Sequence, residues 1–209
     1  MDPAVRERLL EAVLSELGRK GREAMVLAQV LRTAEVAEKD FAEEYGDLDT
    51  CLDAAYVRLT ARLDDAMRVG CSADGKGLAQ GEPQWPQQVR GGLEAVLSEL
   101  AEKPALARAL TRGYPSLGPT QQARYLAFIE GFAAELRARR QRGGIDGELP
   151  ANVDSLAVGA AEAIVFEEIS SARTESLPKM APPILFSLLV PFLGPGGAIT
   201  EMEKAQDPR

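Results

Sequence analysis

The chain has 209 residues, 45% of them hydrophobic and 27% charged, so a packed core is expected rather than disorder. Its formal charge of −8, from 24 basic and 32 acidic residues, argues against a non-specific nucleic-acid binder and leaves DNA contact to a local basic patch. Histidine is absent, which removes His-ligated metal sites and His-activated nucleophiles, and Cys51 and Cys71 have neither zinc spacing nor a disulfide framework. No catalytic residue, metal or cofactor is expected. The start of the chain has no basic region followed by an apolar stretch, so no secretory signal is read there. The longest apolar run, Ala181 to Leu193, is short for a bilayer and carries Pro182, Pro183 and Pro191. A cytoplasmic protein that does not enter a membrane is therefore expected.

Apolar residues recur at three- and four-residue steps almost throughout, the pattern of amphipathic helices, and no strand-like alternation is sustained. The reading is all-α, with about nine helices. The first helix is expected from Pro3 to Leu17, with Gly18 at its C-terminal cap. A second follows over Ala24–Arg32 and a short third over Ala37–Glu44. Asp47 is a good cap for a long fourth helix ending near Gly70. Residues 70–84 read as a loop. Pro86, Pro104 and Pro119 open the fifth, sixth and seventh helices. The seventh ends in Arg137, Arg139, Arg140 and Arg142, cations that suit a helix C-terminus; a basic binding patch is the other reading. The eighth, Asn152–Arg173, is rich in alanine and glycine. The last, Leu177–Leu193, is apolar on most faces. Two adjacent helices with so much apolar surface suggest a subunit interface over about 152–193, or else they complete the core of one chain.

Helices two and three, joined by a tight turn over Thr33–Val36, have the size of a helix-turn-helix. The run Val36-Ala37-Glu38-Lys39-Asp40-Phe41-Ala42-Glu43-Glu44-Tyr45-Gly46-Asp47, with Leu52 and Ala54-Ala55-Tyr56 after it, resembles the head of TetR-family regulators. There the turn, recognition helix and next helix read roughly Gly-Val-Ser-x-x-Thr-Phe-Tyr-x-x-Phe and then Leu-x-x-Ala-Tyr. The body is similar as well, over Trp85 to Leu110 with its Glu-Lys-Pro-Ala-Leu-Ala-Arg run at residues 102–108. So is Leu177-Pro178 through Gly194, which looks like the terminal helix of many actinobacterial members. The resemblance implies a three-helix DNA-binding head over 1–47, a ligand-binding and dimerisation body over 48–209, a homodimer through about 152–193, and a transcriptional regulator rather than an enzyme.

The apolar half of the head motif is kept in Val36, Phe41, Tyr45 and Leu52. The polar half departs: Glu35 stands where the family has the turn glycine, Ala37 for the helix-opening serine, Asp40 for the threonine, Ala42 for the phosphate-touching tyrosine and Leu48 for the capping lysine. Residues 1–48 hold seven bases and eleven acids, a net charge of −4. Arg6, Arg19, Lys20, Arg22 and Lys39 are the candidates for phosphate contact, with solvated surface charge as their other reading. Two functions therefore stay open: a DNA-binding regulator, or a regulator-like protein whose head no longer binds DNA and which acts by ligand or protein binding. A positive stripe beside the third helix would favour the first, a negative face the second. For a ligand the candidates are Trp85, Tyr114, Tyr125, Phe128 and Phe166, which also read as plain core; with few ionisable groups on these stripes, a small apolar ligand is expected.

Overall fold

The computed structural model describes residues 1–73, 84–113, 118–145 and 149–206. Among them the elements are α1 (Pro3–Lys20), α2 (Leu27–Ala34), α3 (Glu38–Glu44), α4 (Leu48–Ala73), α5 (Trp85–Glu102), α6 (Pro104–Gly113), α7 (Pro119–Arg142), α8 (Val153–Ser170), a 3-10 helix (Thr174–Met180) and α9 (Ala181–Gln206), with no strand. Most of the expected loop, residues 74–83, lies outside the described residues.

Several helix starts follow from their capping chemistry. The Asp2 carboxylate accepts from the Ala4 and Val5 amides at 2.9 and 3.4 Å, ahead of Pro3 in the first turn. Asp47 accepts from the Thr50 amide at 2.8 Å and so opens α4, and this bond holds its carboxyl below the usual carboxylate range. The end of α1 differs from the expectation. The helix runs past Gly18 and stops at Gly21, which has φ 76° and donates to the Leu17 carbonyl at 2.8 Å. Gly18 instead faces α6, where a Cβ would lie 2.5 Å from the Ala105 carbonyl oxygen and 2.9 Å from the Ala109 nitrogen. A glycine kept for close packing and one kept for positive φ look alike in sequence.

The chain divides into two compact units, Met1–Arg62 with Lys103–Tyr125, and Leu63–Glu102 with Leu126–Arg209. In the first, Leu9, Val13, Leu17, Val30, Phe41, Leu52 and Tyr56 form the core. The Tyr56 hydroxyl donates to the Ala109 carbonyl at 2.7 Å, which fixes α6 to α4 within this unit. Arg58 meets Glu7 at 2.9 Å, and Lys103 and Arg62 meet Glu11 at 3.1 and 3.7 Å, above the buried Leu10, Leu14, Leu59 and Leu106.

In the second unit α4 and α5 approach at glycines: Gly70 lies against the Gly91 carbonyl and Gly92 against the Cys71 sulfur. The arginine-rich end of α7 is used inside the unit. Arg140 donates to the fully buried Asp154 at 2.8 and 3.0 Å, to the Ile145 carbonyl at 2.7 Å, and lies 5.3 Å over the Phe192 ring. Arg137 adds a 3.1 Å bond to the same carboxylate. Burial opposes ionisation of Asp154, but hydrogen bonds from Arg140 and then Arg137 outweigh it and hold the carboxyl below its ordinary value. Arg142 alone takes a capping role, donating to the Ala138 carbonyl at 3.1 Å.

The end of α8 comes earlier than expected, at Ser170. Ala172, with φ 58°, and Arg173 donate back to the carbonyls of Ile169 and Glu168 at 3.1 and 2.8 Å. The Arg173 guanidinium grips the Glu168 carboxylate at 3.0 and 2.8 Å and the Ser176 hydroxyl adds a 2.7 Å bond, which together push Glu168 down to about 2. The final helix then differs in both directions. Residues 174–180 are 3-10, and α9 continues beyond Leu193 to Gln206, broken at Gly194 (φ 67°, ψ 172°) just before Pro195. The expected stop is thus a kink, because glycine accepts the positive φ and the following proline forces the extended ψ.

By length and composition, the stretch Thr174–Ala205 is apolar enough to cross a membrane, with mean hydropathy 1.6 in its most apolar window. The break at Gly194 cuts that length. The straight run 181–193 reaches about 20 Å at 1.5 Å per residue, short of the roughly 30 Å of a bilayer core.

Removing Asp154 leaves a buried, uncompensated guanidinium. Asp154→Ala is expected to lower stability in urea unfolding by about 3–5 kcal/mol, and Asp154→Leu combined with Arg140→Met to lose clearly less.

Candidate nucleic-acid interface and ligand-binding residues

The helix-turn-helix shape of the head is set by apolar burial and backbone bonding. Leu31, Ala34, Val36 and Phe41 are buried, and the Phe41 ring lies 6.0 Å from that of Tyr45. At the turn the Val36 amide donates to the Leu31 carbonyl at 3.0 Å and the Glu35 amide to the Arg32 carbonyl at 3.4 Å. This pair of bonds requires a left-handed residue between helix and turn, and Glu35 fills it with φ 55°, ψ 45°. A side chain there costs roughly 1–2 kcal/mol, which the burial of Phe41, at about 1.5–3 kcal/mol, outweighs. Ala37 makes no side-chain capping bond at the start of α3.

The exposed side chains of α3 are Glu38, Lys39, Asp40, Ala42 and Glu43. Three are acids, and the single cation among them, Lys39, lies 3.7 Å from Glu43. The other four candidate cations are paired as well. Arg6 on α1 reaches Glu44 at the end of α3 at 2.5 Å. Arg19 and Lys20 both meet Glu16 at 2.7 Å, and Lys20 also donates to Gln29 at 2.8 Å. Arg22 meets Asp49 in the first turn of α4 at 2.6 Å. Hydrogen bonds from the Met1 amino group and then Arg6 hold Glu44 below its ordinary value. Burial works against the ionisation of Glu16, but Lys20 and Arg19 outweigh it and lower its carboxyl too. The exposed side chains of α3 itself, three acids against one cation, are net negative, while Arg32 stands exposed in the last turn of α2.

Sequence reasoning names the cations and misses some of the carboxylates that hold them. The pairs Glu16–Arg19, Glu16–Lys20 and Lys39–Glu43 follow helical spacing and are legible. Arg6–Glu44 and Arg22–Asp49 join residues 38 and 27 apart, and only the tertiary fold brings them together.

The ligand candidates fall in different settings. Trp85 is 2% exposed, its ring edge-on to Phe192 at 6.0 Å and packed on the Gly143 backbone, and its Nε1 is buried with no hydrogen-bond partner among the described residues. Tyr125 is buried in the first unit. Phe128 is half-buried and pairs with Phe132 at 4.7 Å along α7. Phe166 lies on α8 and is 39% exposed. Tyr114 lies outside the described residues. Among the described residues no group of three or more acids or cysteines could hold a metal ion.

No protein-family model matches the sequence, and no curated protein matches it significantly. Solved structures do match in fold. The fatty acid degradation regulator FadR from Bacillus halodurans has a TM-score of 0.70 at 13% identity, over 90% of this chain and 96% of its own. The TetR-family regulator PfmR from Thermus thermophilus has 0.61 at 19%, over 88% and 94%. A TetR-like regulator from Rhodococcus sp. RHA1 has 0.60 at 19%, over 91% and 98%. The fold is that of TetR-family transcriptional regulators. These bacteria are diverse, and the likeness does not single out an actinobacterial type.

The strained turn residue gives a test of the head geometry. Glu35→Gly is expected to raise stability in urea unfolding, by up to about 1 kcal/mol once the extra freedom of glycine in the unfolded chain is deducted, whereas Glu35→Val is expected to lower it.

Proposed function

We propose that this chain is a homodimeric, cytoplasmic transcriptional regulator of TetR type, in which residues 1–47 form the DNA-facing head and residues 48–209 the body that binds a small apolar ligand and a second copy. The observation that carries the reading is the intact α2–turn–α3 geometry. Its apolar anchors are buried and its turn is closed by paired backbone bonds although the turn residue is not glycine. The likeness in fold to regulators supports it.

The homodimer is supported by surface that one copy leaves bare. On α8, Leu156 is 63% exposed, and Ala160, Ala163 and Phe166 are at least partly exposed with it; on α9, Pro191 is exposed. Only 28% of the most apolar window of Thr174–Ala205 is buried. So much apolar surface on two neighbouring helices calls for a partner, and a second copy offers the same surface in return. Sedimentation is expected to give a particle of about twice 22.4 kDa, and Leu156→Glu with Phe166→Glu to give a monomer. A wild-type monomer at micromolar concentration overturns the interface.

Ligand binding changes function when it favours one of two arrangements of the dimer, and so of its two heads. The apolar stripes of the body support an apolar ligand. One structural neighbour regulates fatty acid degradation, which makes a fatty acid a sensible first probe.

A second reading rests on a specific observation. The surplus of acids among the exposed side chains of α3, with Arg6, Arg19, Lys20, Arg22 and Lys39 each paired, favours a regulator-like protein that acts without DNA. A salt-titrated binding assay on the DNA upstream of the chain's own coding sequence separates the two. Saturable binding there, stronger than to a scrambled duplex, supports the regulator; no binding down to about 50 mM salt, where phosphate contacts are strongest, supports the second reading.

A further inference from the structure

We propose that the head carries its own counter-ions: Glu44, Asp49, Glu16 and Glu43 hold the cations that would meet DNA phosphates, and thereby suppress its affinity for generic duplex. The inference rests on reading the head as a DNA binder and goes beyond it, because it assigns a role to the acids rather than to the bases.

Two of the pairs are arranged for this. Arg6 and Glu44 join α1 to the last residue of α3, and Arg22 and Asp49 join the turn before α2 to the first turn of α4. One paired cation thus sits against the recognition helix itself and another at the start of the helix that follows it. Both pairs are open to solvent: the side chains of Arg6 and Asp49 are 45% and 69% exposed. A phosphate reaches these cations only by displacing a carboxylate or by sharing with it. Either way a negative group remains beside the DNA and must recruit a cation from solution. That uptake cancels the counter-ion release which drives non-specific binding, so both the affinity and its salt dependence fall. Base-edge contacts do not depend on this release. Lowering generic affinity while leaving base contacts alone raises the ratio of specific to non-specific binding, the quantity that matters against a genome of competing sites.

The test compares three full-length proteins on a random duplex of about 20 base pairs, by fluorescence anisotropy between about 50 and 200 mM salt. They are the wild type, Glu44→Gln with Asp49→Asn, and a control, Glu175→Gln with Glu203→Gln, which changes net charge equally in the second unit. Circular dichroism and the urea midpoint confirm that each is folded. The head variant is expected to bind about tenfold tighter at low salt, with a log–log slope steeper by about 1–2, near 0.9 for each cation released. The control is expected to match the wild type. An equal gain in the control, no gain in a folded head variant, or a wild type that already binds generic duplex tightly and steeply overturns the proposal. Upstream DNA is run in parallel. If the wild type binds it while the head variant gains nothing on random duplex, the counter-ion role falls and the regulator reading stands; if no protein binds either DNA, both fall.

Discussion

The second unit is organised around one carboxylate. Asp154 is fully buried on the first turn of α8, and its two oxygens take Arg140 and Arg137 from α7. The Arg140 guanidinium held there also donates to the Ile145 carbonyl beyond the end of α7 and lies over the face of Phe192 on α9, and Phe192 in turn meets Trp85 at the start of α5. Contacts of α7 with α8 and α9 and one chain turn thus converge on the Arg140–Asp154 ion pair. A buried pair of this kind gains little net stability over a well-packed apolar substitute, because desolvation offsets most of the attraction. What it does impose is register: a guanidinium with its donors directed at one carboxylate and one carbonyl fits one alignment of α7 on α8, whereas apolar stripes tolerate slippage by a turn.

Glycine makes the second constraint. Gly18 in the first unit, and Gly70, Gly92 and Gly143 in the second, stand where a Cβ would collide with a neighbouring helix backbone, a thiol or the Trp85 ring. At these places the helices or turns come to backbone distance, and shape rather than hydrophobicity selects the residue.

Much of this is legible in the sequence and some is not, for definite reasons. The all-helical class, the prolines opening α6 and α7, the Asp47 cap and the buried anchors Val36, Phe41 and Leu52 all rest on interactions within a turn or two of the chain. The points that sequence misreads depend on what the chain meets elsewhere. Gly18 reads as a cap because its contact with α6 cannot be seen locally. Gly194 reads as a stop because a kink and an end carry the same glycine–proline signature. The cluster from Arg137 to Arg142 reads by its position at a helix end, while the partner that decides it, Asp154, belongs to the next helix. The candidate site divides along the same line: the head's candidate cations are visible in the sequence, but Arg6 and Arg22 are paired by carboxylates brought in by tertiary folding.

Shape and charge therefore carry separate information in this head. Its shape is fixed by residues buried to a few per cent exposure, whose contribution depends on apolar area and not on what the surface displays. That is why the fold is recognisable against regulators only 13–19% identical, and why the likeness is silent on what α3 touches. The surface is free to vary at little cost, since exposed ion pairs contribute about 0–1 kcal/mol each to stability. Yet those same charges dominate any encounter with a polyanion, where affinity grows with every phosphate neutralised. A head can thus keep its core intact and have its DNA affinity reset by a few carboxylates that stability hardly registers. In this chain such carboxylates stand beside Arg6, Arg19, Lys20, Arg22 and Lys39, so a shared helix-turn-helix frame does not by itself carry a shared DNA affinity.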